Sequence, residues 1–261
     1  MANTPVVVLD DTLTDIANAI RGKNGSSDKY KPGQMANAID NISAGGTGIP
    51  REVIDGVYKI PETITSFSLP SNATNVGQRA LEYAFYSCPS LTSADLSSLT
   101  AVSGEQALYN AFAGCTSLTS VDLSSLTTVG SSNALAYAFA NCTSLASVDL
   151  SSLTTVGGQA VFKYAFSGCT KLTSVNFSSL ANLVGQNPFR YAFSDCSSLT
   201  SLSFPALKAN SFAYDVGQFD SMLSGVTGCT IHFPAAIQAK IETLIGYPNF
   251  GGTNTTVLFD L

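Results

Sequence analysis

The spacing of five cysteines constrains this chain more than any other feature. Cys88, Cys115, Cys142, Cys169 and Cys196 each stand 27 positions after the one before. Phe85, Phe112, Phe139, Phe166 and Phe193 keep the same interval, as do Leu91, Leu118, Leu145, Leu172 and Leu199. Written as a template, each unit reads ALxYAFxxCTSLTSVDLSSLTTVG. A fixed period of this size marks units that bury little alone and stack on one another into a solenoid.

One unit divides into two halves. In Leu118 to Leu126 the pattern L-x-x-V-x-L-x-x-L matches the strand segment of leucine-rich repeats. The two-residue alternation of a strand turns Val121 and Leu123 inward and leaves Ser120, Asp122 and Ser124 on the open face. In the other half, Leu135, Ala138, Phe139 and Cys142 fall at i, i+3, i+4 and i+7, which predicts a short helix with one face on the core. The expected fold is therefore an α/β solenoid, with one short strand and one short helix per 27-residue repeat.

Composition bounds the function. The chain has 261 residues, 45% hydrophobic and 11% charged, with a net charge of −6, which describes a soluble protein long enough to bury a continuous core. Its 12 Lys and Arg are spread without a basic cluster, so nucleic acid is not an expected partner. Near the start the apolar run is only Val6 to Leu9, ended by Asp10 and Asp11. That is too short for a signal peptide or a membrane span, so neither membrane insertion nor secretion by a signal in these residues is expected.

Stacking places the five periodic cysteines in a row about 4.8 Å apart, the spacing of neighbouring strands. A buried thiol ladder is the favoured reading, because free cysteine packs as a small hydrophobe. Disulfides and metal are the lesser readings: pairing would leave an odd member of the column, Cys229 is off the period, and there is no CxxC pair. The single histidine, His232, has no serine or cysteine partner in any repeat, so no nucleophile and base can be paired. Gly130 and Gly157-Gly158 recur at the bend of the repeat and read as positions needing φ > 0, with no lysine in phosphate-loop spacing. The expectation is a protein without catalytic residues, metal or cofactor, and not an enzyme.

Two surface columns are candidates for recognition. Asp95, Asp122, Asp149 and Asn176 stack on the sheet face, as either a solvated structural face or a face that contacts a ligand or glycan. Like charges about 4–5 Å apart in water repel by only about 1 kcal/mol, so the column is tolerable without a ligand. The second column is Tyr83, Asn110, Tyr137, Tyr164 and Tyr191. On a helical count from Leu135, Tyr137 lies about 200° away and Phe139 about 40° away, which turns the tyrosines outward and the phenylalanines inward. The tyrosines either shield one another and the rung edges or form a binding stripe.

The combination AFxxCxxLxxVxLxxL resembles the BspA-like, or Treponema-type, leucine-rich repeats of bacterial surface proteins and some phage proteins, over roughly Asn75 to Pro205. The stretch "GCTIHFPAAIQAKIETLIGYPNFGGTNTTVLFDL" resembles the C-terminal cap that follows such repeats in tail-associated proteins of phages and prophages of Gram-positive bacteria. It suits a cap physically: Pro234 at a first helical turn, a stripe of Ile237, Ile241, Leu244 and Ile245, Gly246 as terminator, and Thr255 to Phe259 as a closing strand. Near the start, "DDTLTDIANAIRGKNGSSDKYKPGQMANAIDNI" predicts two helices, with Leu13, Ile16 and Ile20 on one face and Met35, Ile39 and Ile42 on the other. This segment is similar to one found in structural proteins of such phages.

The expected layout is a helical hairpin at 1–42, a flexible linker at 43–50, an N-terminal solenoid cap at 51–74, leucine-rich repeats at 75–210 and a helix-strand cap at 211–261. The helical stretch of the hairpin, some thirty residues, is shorter than the roughly 40 at which a chain folds without disulfide, metal or partner, so it docks on its own solenoid, on a second copy or on a larger assembly. The resemblance implies a phage virion protein of the tail fibre or baseplate, located in the tail and assembled in the host cytoplasm. The hairpin would then be its anchor. Its implied partners are other virion proteins, copies of itself in a homo-oligomer, and a host-surface glycan or protein. The alternative is a bacterial leucine-rich repeat adhesin or surface protein.

Overall fold

The computed structural model of the protein describes residues 52–54, 57–59, 64–69, 71, 73–212, 217–244 and 247–261. The expected hairpin at 1–42, with Leu13, Ile16, Ile20, Met35, Ile39 and Ile42, and the linker at 43–50 lie outside the described residues. A short antiparallel pair, β1 (Glu52–Ile54) and β2 (Val57–Lys59), comes first.

The chain then winds as a solenoid with two parallel sheets. Short strands with one buried central residue, β3 (Ser66–Ser68), β5 (Ser93–Asp95), β7 (Ser120–Asp122), β9 (Ser147–Asp149), β11 (Ser174–Asn176) and β13 (Ser201–Ser203), stack in chain order. The longer β14 (Thr230–Phe233) and β15 (Thr256–Phe259) complete an eight-stranded sheet. Two-residue strands β4 (Asn75–Val76), β6 (Ala101–Val102), β8 (Thr128–Val129), β10 (Thr155–Val156) and β12 (Asn182–Leu183) form a second sheet of five. The register sets like residues opposite like: Asp95 faces Asp122, Asp122 faces Asp149, and Asp149 faces Asn176. Val121 and Leu123 are buried while Ser120 and Asp122 are exposed, as the alternation requires.

The helix expected in the other half of each rung is absent there among the described residues, and a run of turns takes its place. In the rung from Asn133 to Cys142, the N–H groups of Ala136, Ala138, Ala140 and Cys142 each donate to a carbonyl three residues back. Those of Asn133, Leu135, Tyr137, Phe139 and Asn141 donate instead to carbonyls of the next rung, at Gln159, Val161, Lys163, Ala165 and Ser167. An α-helix would spend every N–H on its own i−4 carbonyl and leave none for a neighbour. The turns repeat every four residues, with positive φ at Asn133, Tyr137 and Asn141. A period of four buries Leu135, Ala138, Phe139 and Cys142 as well as a period of 3.6 does, so the spacing alone does not separate the two.

The core is a set of columns running along the solenoid axis. Phe85, Phe112, Phe139, Phe166 and Phe193 stack nearly parallel, with successive ring centroids 5.1, 5.5, 5.6 and 5.4 Å apart. Each such contact contributes about 0.5–1.5 kcal/mol beyond area burial. The cysteine column lies beside it, buried as thiols. Cys115, Cys142, Cys169 and Cys196 each donate S–H to the phenylalanine carbonyl of the rung before, at Phe85, Phe112, Phe139 and Phe166, over 3.0–3.1 Å. Burial pushes the Cys115 and Cys169 thiols up to about 12 and raises Cys142 and Cys196 as well.

The bend glycines need a different explanation from the expected one. Positive φ falls on Gly114, Gly168, Gly217, Gly225, Gly228 and Gly251, and on none of Gly130, Gly157 and Gly158. Gly158 is required by close approach, because a Cβ there would run into the backbone of Ser131 in the rung below. At the C-terminal end a 3-10 turn (Ala235–Ile237) leads into one turn of helix, α1 (Gln238–Ile241). Ile237, Ile241 and Leu244 are buried; Ile245 and Gly246 lie outside the described residues. β15 pairs in parallel with β14, so the closing element is a strand backed by a much shorter helix than the apolar stripe suggests.

Candidate recognition faces

The aspartate column sits on the exposed face of the larger sheet, and its carboxylates are engaged locally. Asp95, Asp122 and Asp149 each accept the backbone N–H two residues on, from Ser97, Ser124 and Ser151, at 3.0, 3.0 and 2.9 Å. Asn176 accepts from Ser178 N–H in the same way at 3.0 Å, through its amide oxygen. These are Asx turns: a short side-chain oxygen substitutes for a backbone carbonyl where the chain leaves the strand. Hydrogen bonds from Ser97, and from Ser68 in the neighbouring rung, hold the Asp95 carboxyl below its usual range against the opposing effect of burial. Among the described residues no group of three or more His, Cys, Asp or Glu is placed to hold a metal.

The tyrosines form the second face. Tyr83, Tyr137, Tyr164 and Tyr191 occupy the outward corner of the four-residue turn, with φ of 55, 57, 53 and 55°. A bulky side chain at positive φ is uncommon and strained, and a turn that points the side chain away from the core is where it is met. Asn110, in the same column at φ 53°, is a residue type that takes this conformation readily. The aromatic gap it leaves is filled by its neighbour Tyr109, whose ring lies 5.7 Å from Tyr83 on one side and 5.7 Å from Tyr137 on the other. Tyr109 and Tyr86 are the members that column counting misses, because each belongs to the ladder in space while standing off the column in sequence.

Among the described residues the ladder has six rings, Tyr86, Tyr83, Tyr109, Tyr137, Tyr164 and Tyr191, and it is not uniform. Tyr137, Tyr164 and Tyr191 are stacked, at 4.9 and 4.8 Å with interplanar angles of 14 and 5°. From Tyr137 toward the N-terminal end the rings meet edge to face, at 62–64°. Arg190 lies over Tyr191, its guanidinium carbon 5.4 Å from the ring centroid, and is itself held by Asp220 at 3.2 Å. Burial raises the phenols of Tyr83, Tyr137 and Tyr164, and neighbouring phenols add to the shift.

Two further features lie outside both columns. His232 Nδ1 is 3.0 Å from each carboxylate oxygen of Asp260, a pair that ties β14 to the end of the chain. A shallow polar depression of about 490 Å³ runs beside the smaller sheet, lined by Glu105, Ser131, Ser132, Gln159, Gln186 and the bend glycines. Among the described residues no helix is long and apolar enough to cross a membrane.

Periodic strands, a phenylalanine column and a cysteine column hydrogen-bonded to it define a leucine-rich repeat protein. More narrowly, the BspA type leucine rich repeat region matches the chain in 6 copies, over residues 55–164 and 81–215, and the chain belongs to that family. Among solved structures, a leucine rich cell surface protein from Faecalibacterium prausnitzii A2-165 is similar at 16% identity, covering 74% of this chain and 79% of that one, with a TM-score of 0.19. That score is too low for the likeness to bear on fold or function. No curated protein matches the chain.

Proposed function

We propose that this protein is a non-enzymatic recognition protein that works at a bacterial surface, with the repeat domain as scaffold and the tyrosine ladder as the contacting face. The observation that carries the reading is the contrast between the two outward columns. One oxygen of each aspartate in the sheet column is used in building its own turn, whereas the phenols stand at outward corners with no such duty. Tyrosine suits recognition because a rigid apolar ring with a polar tip loses little entropy on contact.

Membership of the BspA-type family supports a bacterial surface protein or adhesin as the carrier of this face. A phage tail fibre or baseplate protein, assembled with other virion proteins, is the second reading. It rests on the resemblance of the segment before Ile42 and of the C-terminal cap to phage proteins, and on the need of a hairpin that small for a docking partner. Fluorescently labelled full-length protein should bind intact Gram-positive cells saturably, and its absence from every strain tested would overturn the recognition reading. Surface labelling of the native producer with an antibody separates the two carriers: signal on whole cells supports the adhesin, and co-sedimentation with phage particles supports the tail protein.

A further inference from the structure

Among the described residues the tyrosine ladder has one closed end and one open end. At the C-terminal end the rings of Tyr137, Tyr164 and Tyr191 lie 4.8–4.9 Å apart and cover one another's faces. Arg190 covers the last of them, 5.4 Å from its centroid. At the N-terminal end Tyr83 is 37% exposed and Tyr86 55%, and their rings meet edge to face, 5.6 Å apart at 62°. Edge-to-face packing leaves ring faces accessible that parallel stacking removes.

Resting on the recognition reading above, we propose that the Tyr83–Tyr86 end of the ladder is a binding platform for a neutral pyranose residue of a surface glycan, and that Tyr137, Tyr164 and Tyr191 are its support. A sugar ring offers an apolar face of C–H groups to an aromatic ring and hydroxyls around its rim. The platform supplies both halves of that match. The two phenol rings give the apolar floor, and Asn110 and Gln106, planar amides on the next rung, stand beside it. Asn110 follows Tyr83 in the same column one rung on, and Gln106 Oε1 accepts from Arg79 at 2.6 Å, which holds that part of the polar rim in place. Arg79 is further paired with Glu82 at 3.7 Å, so the rim carries matched charges. The protein as a whole carries a net charge of −6, which disfavours anionic glycans and leaves neutral ones as the fitting class.

The test uses full-length protein on an array of neutral oligosaccharides, with chitotetraose, cellotetraose and mannotetraose as defined solution probes. Tyr86→Ala removes the more exposed ring at an ordinary φ. Tyr83→Asn keeps the positive φ, since asparagine already occupies that column at Asn110. Asp122→Asn, on the sheet face away from the ladder, is the control. Binding of at least one neutral oligosaccharide is expected, weakened tenfold or more by Tyr86→Ala and by Tyr83→Asn and less than twofold by Asp122→Asn. The chain has no tryptophan, so quenching of tyrosine fluorescence reads the same event in solution. Failure to bind any neutral saccharide, equal loss in all three variants, or no loss in the first two would overturn the proposal. Intact cells separate this outcome from failure of the recognition reading: cells bound alike by wild type and by Tyr83→Asn/Tyr86→Ala would leave recognition standing and remove this site.

Discussion

Two residues apart on four of the five rungs, and three apart on the rung of Tyr109 and Phe112, a phenylalanine and a tyrosine build ladders of nearly the same spacing and opposite consequence. The phenylalanine rings stack at 5.1–5.6 Å with no exposure from Phe112 onward; the tyrosine rings meet at 4.8–5.7 Å along the solvent edge. What separates them is the backbone. The tyrosine column sits at positive φ, where the turn reverses and the side chain leaves the core, and the phenylalanine column sits at ordinary φ two residues later. The comparison teaches that repetition alone stacks side chains, and that burial decides whether the stack holds the fold or is offered to solvent.

The largest expected effect comes from breaking the inner ladder. Phe139→Ala should cost roughly 3–5 kcal/mol, because a fully buried ring with ring partners on both sides leaves a cavity that rigid rungs cannot close. A rung is held only by its neighbours, so denaturant unfolding of this variant is expected to split into two transitions. A single transition of unchanged midpoint would count against the inner ladder as the unit of cohesion.

High pH should attack the same region through the thiols. Their folded pKa values lie above the ordinary cysteine value, at about 12 for Cys115 and Cys169. The native state therefore holds these protons more tightly than the unfolded state. The stabilisation is fully present below about pH 9 and is lost as pH rises toward 12. The raised phenols act in the same direction, but solvent screens them more than it does the buried thiols. A melting temperature that falls steeply above pH 9, with a shallower fall in Cys142→Ala, is the expected result.

Smaller effects belong outside the core. Tyr137→Ala loses two ring contacts and leaves alanine at positive φ, for about 1 kcal/mol, and Tyr137→Asn should cost less because asparagine takes that φ more readily. The smallest pair concerns the sheet face. Asp122→Asn should be nearly neutral, within about 0.5 kcal/mol, since Asn176 makes the same turn with an amide oxygen; Asp122→Ala should cost about 0.5–1.5 kcal/mol for the lost bond to Ser124 N–H. Thermal melts of the four variants rank these effects directly.

Much of the fold was legible in the spacing of Cys, Phe and Leu, because stacking repeats turn sequence period into spatial columns. The inward Val121 and Leu123 and the outward Asp122 follow from strand alternation, and Tyr137 is outward as the helical count predicts, although turns and not a helix place it there. The short helix did not survive. A four-residue turn period imitates the helical one, and hydrogen bonds to a rung 27 residues away leave no trace in a local window. The glycines at the bend were read as conformational when Gly158 is steric, a distinction that depends on what the neighbouring rung brings near. The site was half legible. Tyr83, Tyr137, Tyr164 and Tyr191 stand in register, whereas Tyr109 and Tyr86 join the ladder only in space, and the split between its stacked and open parts depends on ring angles that no periodicity encodes.

The separation of holding from presenting is tested most directly on one variant carrying Tyr83, Tyr109, Tyr137, Tyr164 and Tyr191 all changed to Asn, with Tyr86→Ala. Binding to intact Gram-positive cells and thermal unfolding are measured on the same preparation, beside Phe139→Ala. The expected result is a folded protein that melts above Phe139→Ala and has lost saturable cell binding. Unfolding below Phe139→Ala, or cell binding equal to wild type, would contradict the assignment of the outer ladder to recognition.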